Sequence, residues 1–494
     1  MKAILKIALV GCCLLLNYSL HAQGNAALKL SDVLQSNMVV QQGNAFKVWG
    51  NAKPLAEVTI GADWLNKEVT VKTDDNGDFV GEISVPKAEK GNYETHRLTV
   101  SSGTEQVQLN NLLIGDVWFL SGQSNMQFKL EEDKDAATSL PAANHPGIRL
   151  FNADLNFSAT PISTVKGKWQ ACTPETAKKF SAVGYYFGNF LQKEIDIPIG
   201  LVFSGIGASK VEAFIPQEAL KNNPVLDSVY LAPYLKSEKS KEVINGGFSF
   251  EKVTRPFLLY NALINPFIKL SIKGFCWYQG EGNRMERASY TLATQTLITE
   301  WRKKFNQGNL PFYYVQVAPF FYDKEDPQMA DYAFFREAQE KISEIKNTAM
   351  VVSMDVGEAK DLHPKKKMPL GNRLARTALN QVYKRKNVAY HGPKFKKLVV
   401  KENKAFVYFE PESVKSGLNT NDSRAPKYFT LAGSDGVFHL ATAKIVGNHI
   451  ELNSAEVQKP VAVRYAFTNY PVTNFQNKEG LPCIPFRSDK WPEK

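Results

Sequence analysis

Five mostly apolar runs in the middle of the chain constrain its fold more than any other feature. They are Leu112–Leu120, Ile199–Phe203, Ile272–Tyr278, Phe312–Val317 and Ala349–Met354. A continuous run of this kind, unlike an alternating one, marks a strand buried on both faces. Segments with helical signals, among them Phe180–Glu194 and Ala288–Phe305, lie between the runs. The alternation predicts an α/β fold built on a doubly wound parallel sheet, whose ligands sit beyond the carboxyl ends of the strands. The residues that follow each run are therefore the candidates for chemistry.

The flanks read differently. From Leu28 to about Asn110, short alternating segments such as Phe46–Gly50, Glu57–Gly61 and Leu98–Val100 are broken by turn signals, with Asp74-Asp75-Asn76-Gly77-Asp78 the strongest. This spacing predicts a small antiparallel β-sandwich. From about Lys396 the style returns in Leu398–Val400, Ala405–Phe409, Phe429–Leu431 and Val461–Ala466, and predicts a second β-rich module. At roughly 150 residues per domain, 494 residues make room for about three domains. The expected division is a leader at 1–22, an N-terminal β-sandwich at 23–110, the α/β domain at 111–393 and a C-terminal β-rich domain at 394–494.

Lys2 and Lys6, the apolar stretch Ile7–Leu16 and the more polar Asn17–Ala22 have the layout of an export signal cleaved after Ala22. The stretch is shorter than the roughly 20 residues a bilayer needs, and no later segment qualifies, so no transmembrane segment is expected. Leu9-Val10-Gly11-Cys12 also fits a lipoprotein box. The early position of Cys12 and the continuation of the apolar run to Leu16 favour soluble export to a periplasmic or extracellular location. Export leaves Cys172, Cys276 and Cys483, an odd number that makes no disulfide framework. No pair has the spacing of a metal site, so no zinc site is expected, and the glycine loop Ser204–Ser209 lacks the GxGxxG pattern of a dinucleotide site. The formal charge is +11, and 11 minus the two leader lysines is +9. Basic residues gather only in short runs such as Lys365–Lys367 and Lys394–Lys397, which speaks against a nucleic-acid partner.

The first run ends in Ser121-Gly122-Gln123-Ser124-Asn125-Met126. A serine in a tight strand-to-helix turn can be a nucleophile or simply a helix cap. The motif is not the GxSxG elbow, because Met126 stands where the second glycine would. The second run ends in Ser204-Gly205-Ile206-Gly207-Ala208-Ser209, whose backbone N–H groups could approach a developing oxyanion. After the third comes Gln279-Gly280-Glu281-Gly282-Asn283, rich in amide and carboxylate groups, and the fourth leads through Ala318-Pro319 into an aromatic, acidic loop. The fifth is followed by Asp355 and then Asp361-Leu362-His363-Pro364. A carboxylate beside a histidine can hold its tautomer and stabilise the imidazolium. One sheet edge thus collects every part of an acyl-transfer site.

These residues resemble the sialate O-acetylesterase family of the SGNH (GDSL-like) hydrolase superfamily. The matching stretches are Gly115-Asp116-Val117-Trp118 through Gly122-Gln123-Ser124-Asn125-Met126, then Pro256–Pro266, Trp277–Asn283 and Arg336-Glu337-Ala338-Gln339. Asp361–Pro364 with Lys367 and Gly371–Leu374 follow, and the terminal Gly480–Arg487 closes the set. Asn37–Gln41 and Val48-Trp49-Gly50 match the family's front module. The resemblance implies the SGNH three-layer fold flanked by the two β modules. It also implies a secreted serine esterase that removes O-acetyl groups from sugars, most of all O-acetylated sialic acids, without a cofactor. Ser124 would be the nucleophile, His363 the base and then the acid, and Asp361 its orienting partner. The oxyanion would be held by the N–H groups of Ser124 and Gly207 and by a side-chain amide, with Gln279 favoured over Asn283. Two loops depart from the family: Gly207-Ala208-Ser209 replaces two glycines and a threonine, and Gly282 replaces a serine. The acid lies two residues before the histidine, a spacing of the sialate branch, and Asp355 is the second candidate for it. Lys365–Lys367 could attract an anionic sugar or form a solvated segment. Acetyl esters of xylan or pectin are the alternative substrates, and a carbohydrate-binding protein without catalysis is the alternative class.

Overall fold

The computed structural model describes residues 27–244, 247–321 and 330–493. The expected leader at 1–22, with Cys12, lies outside the described residues. Each of the five apolar runs forms a strand. They give β1 (Glu105–Gly122), β4 (Ile199–Phe203), β5 (Gly274–Tyr278), β6 (Phe312–Val315) and β7 (Thr348–Val351) of one sheet. Two further strands, β2 (His145–Asn152) and β3 (Trp169–Cys172), complete one edge, so the order is β3-β2-β4-β1-β5-β6-β7. Every neighbouring pair is parallel except β2 with β3.

Alternate side chains of β1 feed two separate cores, as the period of a strand requires. Trp118 and Leu120 join Val183, Phe187 and Leu191 of α2 (Ala182–Ile195) and Leu370, Leu374 and Ala378 of α5 (Met368–Gln381). Phe119 instead meets Trp301 and Phe305 of α3 (Ala288–Phe305) edge to face, and Phe335 of α4 (Asp331–Glu340) joins the same core. Helices therefore cover both faces of the sheet. Among the described residues no helix is long and apolar enough to cross a membrane. Cys172, Cys276 and Cys483 are buried free thiols.

β1 is shared between the front module and the core. Its first half pairs antiparallel with His96–Ser102, its middle, Leu113–Gly115, pairs parallel with Val39–Gln41, and its second half is the centre of the parallel sheet. The strand runs unbroken through position 110. A second front sheet, Lys29–Leu30, Ala45–Asn51 and Asp78–Ser84, packs on the first so closely that a Cβ at Gly81 would lie 2.3 Å from Ile60 Cδ1. Where module and core meet, the fully buried Asp116 accepts hydrogen bonds from Gln41 Nε2 and Tyr383 Oη, both at 2.7 Å.

The C-terminal module holds two four-stranded antiparallel sheets and a two-stranded one. The buried Arg336 of α4 donates to the backbone carbonyls of Ala466, Thr468 and Asn469, and Glu337 receives Arg487 at 2.9 Å. The Arg336-Glu337 and Arg487 motifs are thus joints between core and module.

Candidate active site

β1 delivers the serine. Gly122 ends the strand at φ +141°, and a Cβ there would lie 2.2 Å from the carbonyl oxygen of Tyr278 on β5, so only glycine fits. The next residue, Gln123, is buried, and its Oε1 accepts the N–H groups of Gly280 at 3.2 Å and Gly282 at 3.4 Å. One loop is thereby tied to the other. The chain then enters a one-turn helix, α1 (Ser124–Gln127), leaving the N–H of Ser124 outside the helical ladder.

His363 arrives from the loop after β7, and its Nε2 lies 2.8 Å from Ser124 Oγ. Asp361 is held differently from a carboxylate bonded to the ring. It accepts the backbone N–H of His363 at 2.8 Å, and its oxygen stays 3.7 Å from Nδ1. The loop is thus braced by an Asx-type turn while the charge remains beside the imidazole. Burial lowers the His363 pKa below 6.5, Lys367 lowers it further, and Asp361 and Glu132 oppose them. Asp355, the second candidate for the acid, is engaged elsewhere, in two hydrogen bonds with Arg373 at 2.8 and 2.6 Å.

Asn125 links the serine and histidine loops. Its Nδ2 donates to Glu281 Oε1 at 2.6 Å and to the carbonyl of Leu362 at 3.1 Å, while its Oδ1 accepts Lys367 Nζ at 2.5 Å. Lys367 lies over the rings of Phe128 and Tyr278 and is fully buried, unlike the exposed Lys365 and Lys366. Burial brings its pKa down to about 7, and burial raises that of Glu281. The lysine run is therefore split, with only its first two members able to meet solvent. Sequence reasoning placed Lys367 in the family pattern yet gave all three lysines one role toward an anionic sugar, and it gave Asn125 none, although its place beside Ser124 was the available signal.

Gly207 comes against Ser124, where a Cβ would lie 3.3 Å from Ser124 Cβ. Its N–H donates to Gln127 Oε1 at 2.8 Å. The two candidate side-chain amides are occupied with scaffolding. Gln279 Nε2 donates to Asn283 Oδ1 at 2.7 Å and to the Ser209 carbonyl at 3.3 Å. Asn283 Nδ2 in turn donates to Glu212 and Glu286, both at 3.0 Å, and its Oδ1 also accepts the N–H of Val211. Both amides thus use their N–H groups to fasten the second loop to the third. Sequence reasoning had no signal for the two carboxylates beneath them, of which Glu212 is pushed by burial up to about 7.

The two departures from the family pattern have physical consequences. Ala208 sits at φ +61°, a left-handed conformation that costs a side-chain-bearing residue roughly 1–2 kcal/mol. Replacing it with glycine relieves that strain but adds freedom to the unfolded chain, so Ala208→Gly is expected to stabilise the protein by about 0.5–1 kcal/mol in urea titration. A Cβ at Gly282 would lie 2.9 Å from the Ser209 carbonyl, so this glycine lets the two loops approach.

A serine beyond the carboxyl end of a central strand, hydrogen-bonded to a histidine, suits acyl transfer, and the relatives narrow the class to a carboxylic ester hydrolase. A family model described as carbohydrate esterase, sialic acid-specific acetylesterase matches residues 242–380. A solved carbohydrate acetylesterase from Xanthomonas citri is 31% identical, with a TM-score of 0.82 over 94% of this chain and all of that one. Sialate O-acetylesterases of Mus musculus and Homo sapiens are each 27% identical, covering 96% and 93% of this chain and 97% and 92% of their own. The chain belongs to the sialate O-acetylesterase family of carbohydrate esterases.

Proposed function

We propose that the protein is an exported serine acetylesterase of SGNH type that removes O-acetyl groups from sugars, with O-acetylated sialic acids as its leading substrates. The observation that carries this reading is the 2.8 Å contact between Ser124 Oγ and His363 Nε2 at the carboxyl edge of the parallel sheet. His363 takes the Ser124 proton as Oγ attacks the acetyl carbonyl. The tetrahedral oxyanion forms next to the N–H groups of Ser124 and Gly207. His363 then gives the proton to the departing sugar oxygen, which leaves an acetyl-enzyme. Water, deprotonated by His363, attacks this ester, and the intermediate collapses to acetate as His363 returns the proton to Ser124 Oγ. Asp361 stabilises the imidazolium through space. The exposed Lys365 and Lys366 beside His363 suit an anionic sugar.

The test is acetate release from O-acetylated sialic acid and from acetylated xylan, with Ser124→Ala as control. Release from the first above the second supports the sialate reading, the reverse supports a plant-polysaccharide esterase, and release from neither overturns the acetylesterase proposal.

Two further outcomes follow from the geometry. Because the His363 pKa is lowered, its neutral form persists to lower pH, and the acid limb of kcat/KM is expected to have its midpoint below 6.5. A midpoint above that value would contradict the desolvated environment. In addition, a substrate carbonyl reaching the Gly207 N–H must displace Gln127 Oε1. One neutral hydrogen bond is worth about 0.5–1.5 kcal/mol, so Gln127→Leu is expected to raise kcat/KM for p-nitrophenyl acetate by roughly two- to tenfold. A fall in kcat would mean that Gln127 instead holds the Gly207 N–H in place.

A further inference from the structure

The C-terminal module shares a cavity of about 660 Å³ with the loop that follows β5. On the core side it is lined by Arg284 and Met285, which continue directly from Glu281 and Asn283, and by Asp331 at the start of α4. On the module side stand Asp435, Phe438, Arg464 and Trp491. The Arg284 wall of this cavity is tied through the chain to the serine loop. Glu281 touches Asn125, the neighbour of Ser124, at 2.6 Å, and three residues of backbone span at most about 11 Å.

The walls are held rigid before any ligand arrives. Trp491 donates its N–H to Asp489 at 3.2 Å and accepts Arg487 Nη1 at its carbonyl at 2.5 Å. Beyond it, Glu493 closes back onto the β5 loop through Arg287, at 2.9 and 2.5 Å. Phe438 stands edge-on to Trp491 at 5.7 Å, and the Arg464 guanidinium lies 4.0 Å over its ring. A preorganised wall of this kind loses little entropy on binding.

Its chemistry is amphipathic and nearly charge-balanced. Arg284 is paired with Asp331 at 3.2 Å and Arg464 with Asp489 at 2.9 Å, so the cations are already neutralised. What faces the cavity is aromatic surface together with carboxylates and guanidiniums able to exchange hydrogen bonds. Apolar ring faces suit the C–H side of a pyranose, and the planar polar groups suit its hydroxyls. A lone acetylated monosaccharide at Ser124 would leave this space unused.

We propose that this cavity is a saccharide subsite for uncharged sugar units, which holds the continuation of an oligosaccharide whose acetylated unit lies at Ser124. The inference rests on the acetylesterase reading above and extends it from the reacting unit to the chain attached to it. It also gives the C-terminal module a task in substrate selection.

The test compares p-nitrophenyl acetate with two oligosaccharides, acetylated xylotetraose and O-acetylated sialyllactose, in the full-length wild type and in Trp491→Ala, Phe438→Ala and Asp435→Ala. The wild type is expected to hydrolyse at least one oligosaccharide. On that substrate Trp491→Ala and Phe438→Ala should raise KM about tenfold with kcat little changed, as the loss of one anchoring contact implies. Asp435→Ala, on the exposed rim, leaves the core intact and should raise KM several-fold. All three variants should keep the wild-type rate on p-nitrophenyl acetate, which also reports that they fold. Unchanged oligosaccharide KM in all three, or equal losses on both kinds of substrate, overturns the subsite. A wild type active on p-nitrophenyl acetate but on neither oligosaccharide overturns it as well. A wild type inactive on every ester defeats the acetylesterase reading instead.

Discussion

Replacing Ser124 with alanine is expected to lower kcat on p-nitrophenyl acetate by at least about a thousandfold, because no other route then forms the acetyl-enzyme. His363→Ala should cost a similar factor, and the double variant little more, since the two act as one unit. Asp361 should behave differently. Its carboxylate holds the backbone N–H of His363 and stands 3.7 Å from Nδ1, beyond a hydrogen bond. Both side chains are 39% exposed, so screening weakens the attraction to the imidazolium. Asp361→Asn keeps an acceptor for the N–H and removes only that attraction, so the expected loss is about ten- to hundredfold. Steady-state kinetics decide the matter: retained activity in Ser124→Ala would remove the serine mechanism, and a loss in Asp361→Asn as deep as that in His363→Ala would require a direct bond to the ring.

The second large effect concerns stability. Asn125→Ala withdraws the acceptor of a buried lysine and the donor of a buried glutamate in one step. Glu281 Oε2 already lacks a partner among the described residues, so little else is at hand to replace the loss. Breaking such a buried polar set typically costs about 3–5 kcal/mol. Chemical denaturation should show that loss as a lower midpoint with an unchanged slope. A change below about 1 kcal/mol would mean that Lys367 and Glu281 find each other without the asparagine. The Lys367 pKa near 7 gives the effect a pH signature. Its folded value lies below its unfolded one, so between about pH 7 and 10 the unfolded chain binds more protons and this lysine's contribution to stability rises with pH.

The sheet's interior was legible in the sequence because full burial demands continuous apolar residues, and each of the five runs forms a strand. The two strands beyond β4 were not. β2 pairs with both β3 and β4, but His145, Pro146, Gly147 and Arg149 precede or interrupt its apolar residues Ile148, Leu150 and Phe151, so no continuous run marks it. The helix at Ala288–Phe305 matches its expected bounds, and the other starts at Ala182 because Ser181 caps it by accepting the N–H of Gly184. At the site, the residue types after the first, second, third and fifth runs pointed to the loops that do converge. Their partners were hidden because hydrogen bonds between distant loops leave no periodic trace. Gln279 and Asn283 illustrate this, since an amide that donates to a ligand and one that donates to a neighbouring loop look alike in one dimension. Lys367 is a further case, because only the packing of Phe128 and Tyr278 around it separates it from Lys365 and Lys366.

The strand that carries the serine also sets its alignment. A slip of one residue in a strand exchanges its two faces, which here would carry Ser124 away from His363. Because β1 is paired along its first half with His96–Ser102 and at its middle with Val39–Gln41, its register is checked upstream of the sheet that uses it. The front module thus acts as a proofreader of the frame in which Ser124 meets His363. A version of the enzyme begun at the core would have to find that frame unaided.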